Sequence, residues 1–145
     1  MTPEQLQQFL DLGREVLAQQ AFSRLLGAEL TRLVPGEAEL RLALRDDLRQ
    51  QNGFAHGGVV SYLADNALTY AGGTAMRVPV VTSEFKINYV RPATGDALIA
   101  RANALVVGKT QSVCRCEVYA VNGTDETLCA LAQGTIVKIG EAPPG

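Results

Sequence analysis

Apolar residues along this chain recur at two different spacings, and the points where the spacing changes divide it into elements. Leu6, Phe9, Leu10, Val16 and Leu17 form a stripe at roughly helical intervals. The run Thr2-Pro3-Glu4-Gln5 supplies the start: Thr2 can cap, Pro3 suits the first helical position and Gln5 can close a capping box. Gly27 supplies a stop. Beyond the turn signal Pro35-Gly36 the spacing becomes two. Ala38, Leu40, Leu42 and Leu44 alternate with Glu37, Glu39, Arg41 and Ala43, which predicts a half-buried strand. Residues 45–54 are polar and read as a loop. Helical spacing returns from Gly57 to about Tyr70, with Val59, Val60, Leu63, Ala64, Ala67 and Ala71 on one broad apolar face. Gly72-Gly73 predicts its end. Strand patterns then fill 80–90, 97–107, 112–121 and 127–139, with Asn122-Gly123 a hairpin signal between the last two. Residues 141–145 read as a frayed tail.

The predicted order is a helix, two strands, one apolar helix and four strands on short connections. Short connections favour antiparallel pairing. One apolar helix against one large antiparallel sheet is an α+β layer architecture. Its open edges invite pairing between two chains. Nothing in the pattern suggests a repeat or a linker, so residues 1–145 read as one domain, with 1–27 as a helical extension.

Composition narrows the function classes. At 47% hydrophobic the chain can bury a core. A net charge of −2 gives no basic field for nucleic acid. No apolar run is long enough to span a bilayer, and the polar first ten residues do not read as a signal peptide. The cysteines number three. Cys114 and Cys116 would share a strand face about 6–7 Å apart, at the edge of disulfide reach. All three read as reduced thiols of a cytoplasmic protein. The single histidine is not spaced for a zinc site, so no metal is expected.

Candidate chemistry gathers where the loop meets the apolar helix. A helix N-terminus presents unpaired N–H groups, and Gly57-Gly58 would let an oxygen approach them. Such donors can stabilise the oxyanion of a carbonyl under attack, or the glycines can simply make a tight junction. His56 either donates to that carbonyl or caps the helix. Asp65, eight residues after Gly57, points away from the Val59–Leu63–Ala67 face. It is either an attacking or water-activating carboxylate or a solvated one. The Gln50 amide can hold water or a carbonyl. Ser83 shares an alternating face with Val81, Phe85 and Ile87, as a core serine or a partner for a carboxylate. Arg91 and Lys109 can meet phosphates.

Taken together these residues resemble a family. Asn52-Gly53-Phe54-Ala55-His56-Gly57-Gly58, then Leu63-Ala64-Asp65-Asn66-Ala67, then Asn88-Tyr89-Val90-Arg91-Pro92-Ala93, then Gly134-Thr135, are similar to the PaaI-like group of hotdog thioesterases over roughly 29–139. The resemblance implies a curved antiparallel sheet around one long helix, the hotdog fold. It implies homodimers with two sites at the interface, often paired again into tetramers. By position Asp65 matches the catalytic acid, Gly57 the backbone donor to the thioester carbonyl and His56 the motif histidine. Gln50 stands where many members carry Asn and some Gln. Thr69 and Ser83 match polar positions near the acid, and Asn52 and Gly58 belong to the substrate-binding motif. Arg91 and Lys109 fall near regions that meet coenzyme A.

The expected reaction is hydrolysis of an aryl, arylacetyl or medium-chain acyl-CoA, with coenzyme A part of the substrate and no other cofactor. No nucleic-acid or membrane partner is expected. Two rivals make different demands. An enoyl-thioester hydratase of this fold generally puts an acid before a histidine, whereas here His56 precedes Asp65. A non-catalytic acyl-CoA-binding module could dispense with the acid altogether.

Overall fold

The computed structural model describes residues 1–141, so the rest of the tail read as frayed lies outside the described residues. Helix α1 (Pro3–Gln19) opens on the expected capping box: Gln5 N–H donates to Thr2 Oγ1 at 3.1 Å, and Thr2 N–H to Gln5 Oε1 at 2.8 Å. The helical segment does not run unbroken to Gly27. Gln20 is extended and separates α1 from a short α2 (Ala21–Leu26), which ends at Gly27 with φ 84°. The break turns the Gln20 side chain onto the long central helix, where Oε1 accepts from Asn66 Nδ2 at 3.1 Å.

Strands β1 (Glu29–Val34) and β2 (Glu37–Ala43) form a hairpin, followed by the loop and helix α3 (Gly57–Met76). Then come β3 (Val80–Tyr89), β4 (Ala97–Val107), β5 (Gln111–Asn122) and β6 (Asp125–Lys138). All pair antiparallel in one sheet of order β1-β2-β4-β5-β6-β3. Ala38, Leu40 and Leu42 point inward as their alternation predicts. The sheet curves around α3, whose Val59, Leu63, Ala64, Ala67, Leu68 and Ala71 are all buried. Burial wider than one stripe marks α3 as a central rather than a surface helix. This is the hotdog arrangement.

Gly72-Gly73 does not end α3, which continues to Met76 and is capped by Arg77 with φ 57°. The two glycines serve close packing instead. A Cβ on Gly72 would lie 2.8 Å from Ile136 Cβ, and one on Gly73 would lie 2.9 Å from Val80 Cγ2. Both distances are below van der Waals contact, so the helix meets the sheet here only without side chains.

β3 carries a bulge that decides which hydroxyl faces the helix. Thr82 pairs with Ile136 and Glu84 with Thr135, leaving Ser83 as the extra residue. Before the bulge Val80 and Thr82 are half-buried; after it Phe85 and Ile87 are. Ser83 itself is exposed. The three cysteines are free and buried. Burial pushes Cys116 up to about 12 and Cys129 up to about 11, so both are neutral packing groups at physiological pH.

Candidate active site

The loop before α3 is tied down by backbone bonds that bring Gln50 over the helix start. Gln50 N–H donates to the Phe54 carbonyl at 2.8 Å, Ala55 N–H to Ala93 at 2.9 Å and His56 N–H to Leu48 at 2.9 Å. Gly53 takes a φ of 87° at the tip, as a glycine readily can. Gln50 Oε1 accepts from Asn52 N–H, so Asn52 orients the amide through its backbone while its own side chain is exposed.

His56 is the N-cap of α3. Gly58 N–H donates to His56 Nδ1 at 2.9 Å, which makes Nδ1 the lone-pair nitrogen and leaves the proton of the neutral ring on Nε2. Capping and donating are therefore compatible: Nδ1 caps, and Nε2–H remains exposed. The Gly57 N–H has no hydrogen-bond partner among the described residues. Its carbonyl accepts from Tyr89 OH at 3.0 Å, which fixes this turn to the end of β3. Gln50, Gly57, Tyr89 and Arg91 border a cavity of about 440 Å³ with Val60 and Cys129 among its apolar walls.

Asp65 is half-buried on α3. Thr82 Oγ1 donates to Asp65 Oδ1 at 2.6 Å, and Thr69 Oγ1 lies 3.2 Å from Thr82 Oγ1 and 2.8 Å from the Asp65 carbonyl oxygen. Oδ2 has no hydrogen-bond partner among the described residues. One oxygen is held and the other is open to a reactant. Thr69 is near the acid, as expected. Ser83, the next residue after Thr82, is the exposed bulge residue and makes no hydrogen bond to Asp65; it is Thr82, which alternation did not single out, that meets the carboxylate. Gly134, opposite Phe85 in β6, is the signal that was available, because glycine inside a strand marks a bulge or a close approach.

β3 runs antiparallel alongside α3, so Tyr89 meets Gly57 and Thr82 meets Asp65. Eight residues of α-helix separate Gly57 from Asp65 by about 12 Å. One chain therefore presents two candidate half-sites, set apart along α3. Arg91 lies with Gly57, its guanidinium donating to the Leu128 carbonyl at 2.9 Å. Lys109 lies in the turn beside Lys138, which pairs with Val80 at the opposite end of β3. The length of β3, about 30 Å, keeps these two cations apart within a chain. Gly58 is exposed at the helix start.

A profile of the thioesterase superfamily matches residues 52–127, which contain His56, Gly57, Asp65 and Thr82 but not Gln50. The chain belongs to the thioesterase superfamily. A thioesterase family protein of Silicibacter pomeroyi is 35% identical and superposes with a TM-score of 0.84, covering 88% of this chain and 96% of its own. The PaaI protein of the E. coli phenylacetic acid degradation operon is 27% identical with a TM-score of 0.81, over 90% and 92% of the two chains. The 1,4-dihydroxy-2-naphthoyl-CoA hydrolase of Listeria monocytogenes is 26% identical over 72% of this chain and 85% of its own. The protein is a PaaI-like thioester hydrolase. Among the described residues of this thioesterase, no helix is long and apolar enough to cross a membrane, and no group of three or more His, Cys, Asp or Glu side chains is placed to hold a metal.

Proposed function

We propose that the thioesterase hydrolyses an acyl-CoA with a non-polar aryl, arylacetyl or medium-chain acyl group, giving a free acid and coenzyme A. The observation that carries this reading is Asp65: a carboxylate on a buried apolar helix, oriented by Thr82 at 2.6 Å through Oδ1, with Oδ2 open. Asp65 either attacks the thioester carbonyl, giving an anhydride that water then opens, or takes the proton from an attacking water. In both routes negative charge develops on the carbonyl oxygen. The free Gly57 N–H at the positive end of α3, joined by His56 Nε2–H, is suited to receive it. Gln50 holds water or substrate, and the coenzyme A thiolate leaves.

The site is formed by two chains, with Asp65 of one beside Gly57 of the other, in a homodimer that can pair again into a tetramer. The separation of the half-sites along α3 supports this. Arg91 and Lys109 meet coenzyme A phosphates, and sharing between chains brings cations from opposite ends of β3 toward one ligand. The Listeria relative acts on an aryl-CoA, which supports the substrate class. Three free thiols suit a reducing, cytoplasmic location.

Release of free thiol from a panel of acyl-CoAs tests the reading. The parent is expected to turn over at least one class, and Asp65→Asn to lose about 10²–10⁴-fold in kcat while melting as the parent does. Binding without turnover, or a folded Asp65→Asn within a few-fold of the parent, would overturn it.

A further inference from the structure

The N-terminal helices are fastened to the helix that carries Asp65. Tyr70 is buried, and its hydroxyl donates to the Gly13 carbonyl at 2.8 Å. At the break between α1 and α2, Ser23 Oγ donates to Gln20 Oε1 at 2.6 Å and Tyr62 OH to Ser23 Oγ at 2.6 Å. Asn66, the residue after Asp65, joins the same group by donating to Gln20 Oε1 at 3.1 Å. A Cβ on Gly13 would sit 2.6 Å from Leu33 Cδ2 and 2.7 Å from Leu30 Cδ2, so α1 packs closely against β1. These contacts fix α1 relative to Asp65.

Between α1, α3 and the start of β3 lies a cavity of about 520 Å³. Phe9, Leu12 and Val16 of α1 form one side, and Tyr70 and Val80 stand among the residues of the other. Thr69 lines it too, and Thr69 Oγ1 is 3.2 Å from the Thr82 hydroxyl that holds Asp65. Through these two hydroxyls one end of the cavity is linked to the carboxylate. From Asn66 to Thr74 it follows α3 for about 12 Å, running away from Gly57. No charged side chain lines it. Most of its polar lining is hydrogen-bonded within the chain: Gln20 Oε1 with Asn66 Nδ2, Tyr70 with Gly13, Thr69 with the Asp65 carbonyl and Thr74 with the Tyr70 carbonyl, while Gln20 Nε2 and Asn66 Oδ1 have no partner among the described residues. Beyond the Gln20–Asn66 pair an occupant is offered mainly apolar surface from Phe9, Leu12, Val16, Leu33 and Val80, which disfavours acyl groups that would bury a charge or hydroxyl along it. Leu12 and Val16 are 60% and 51% exposed at the rim, apolar groups left uncovered among the described residues.

We infer that this cavity receives the acyl group, that its chemistry selects a non-polar medium-length chain, and that Leu12 and Val16 set the length accepted. The inference rests on the acyl-CoA reading, and it gives α1 a part in substrate choice. Binding can be separated from turnover with thioether analogues that cannot be hydrolysed, S-decyl-CoA and S-ethyl-CoA, titrated calorimetrically into the full chain. The parent is expected to bind the decyl analogue at least about 30-fold more tightly than the ethyl one, because the longer tail buries additional methylenes. Val16→Trp and Leu12→Trp fill the rim from exposed positions, so both should fold. Each is expected to weaken decyl binding by about tenfold or more while ethyl binding stays within about twofold. An unchanged preference in both folded variants would overturn the inference. So would an unchanged preference accompanied by a lower sedimentation mass, which would mark the rim as a subunit contact. Turnover of decanoyl-CoA, assayed in parallel, bears on the hydrolase reading alone: its absence beside a rim-sensitive decyl preference removes the reaction and leaves the cavity assignment standing.

Discussion

Thr82 and Ser83 differ by one position and one methyl group, and only Thr82 touches the carboxylate. Counting by twos along β3 selects Ser83, because Val81, Ser83, Phe85 and Ile87 share parity. The bulge adds one residue and exchanges the faces beyond it. Periodicity has no means of showing such a step, whereas motif spacing shows Asp65, His56 and Gly57 directly. Their environments were not legible: that Nδ1 of His56 caps Gly58 depends on a side-chain torsion. On the proposed mechanism Thr82 acts through Asp65, which makes it a positioning residue. Thr82→Val keeps the shape and removes the hydroxyl. It should lower kcat about 10–100-fold with little change in KM, since a misplaced carboxylate fails mainly in the transition state. Thr82→Ser should restore most of the loss. Equal activity in all three proteins would show that Asp65 needs no such support.

At the level of elements, local rules decided the beginnings better than the ends. The capping box at Thr2 and the Asn122-Gly123 hairpin form as read, because each depends on residues close in sequence. The end of α3 and the break at Gln20 depend on distant partners. Gly72 lies in the helix to admit Ile136, and Gln20 leaves it to reach Asn66. Gly134 is the corresponding feature in β6. A Cβ there would lie 2.6 Å from the Glu84 carbonyl oxygen and 2.6 Å from Phe85 Cβ, immediately after the bulge. Backbone cannot step aside as a flexible side chain can. Gly134→Ala should therefore destabilise the fold by about 1–3 kcal/mol despite the lower chain entropy alanine gives the unfolded state. A urea unfolding midpoint equal to that of the parent would show that β3 shifts freely.

For the whole molecule, the decisive dimension is the length of α3 between Gly57 and Asp65. A two-fold axis that sets two such helices antiparallel brings unlike ends together. Mixing Asp65→Ala with a Gln50→Ala, His56→Ala double variant then places all damage in one site of a mixed dimer and leaves the other intact. Random exchange makes about half the dimers mixed, so activity should recover to roughly a quarter of the parent level. No recovery, with exchange verified by differently tagged chains, would show that each chain builds its own site. The fold class was legible from the order of spacings, and the family from its motifs. The separation of the half-sites was already implicit in counting helix residues.

The strand order also has a consequence in time. β3 is made before β4, β5 and β6, yet its only strand neighbour among the described residues is β6, the last strand. Val80 waits for Lys138 and Tyr89 for Ala130. Until the C-terminal hairpin emerges during synthesis, β3 has no sheet to join, and Thr82 has no fixed place beside Asp65. The nascent chain therefore carries Asp65 without the strand that orients it, and the Thr82–Asp65 contact forms only as the final strand docks.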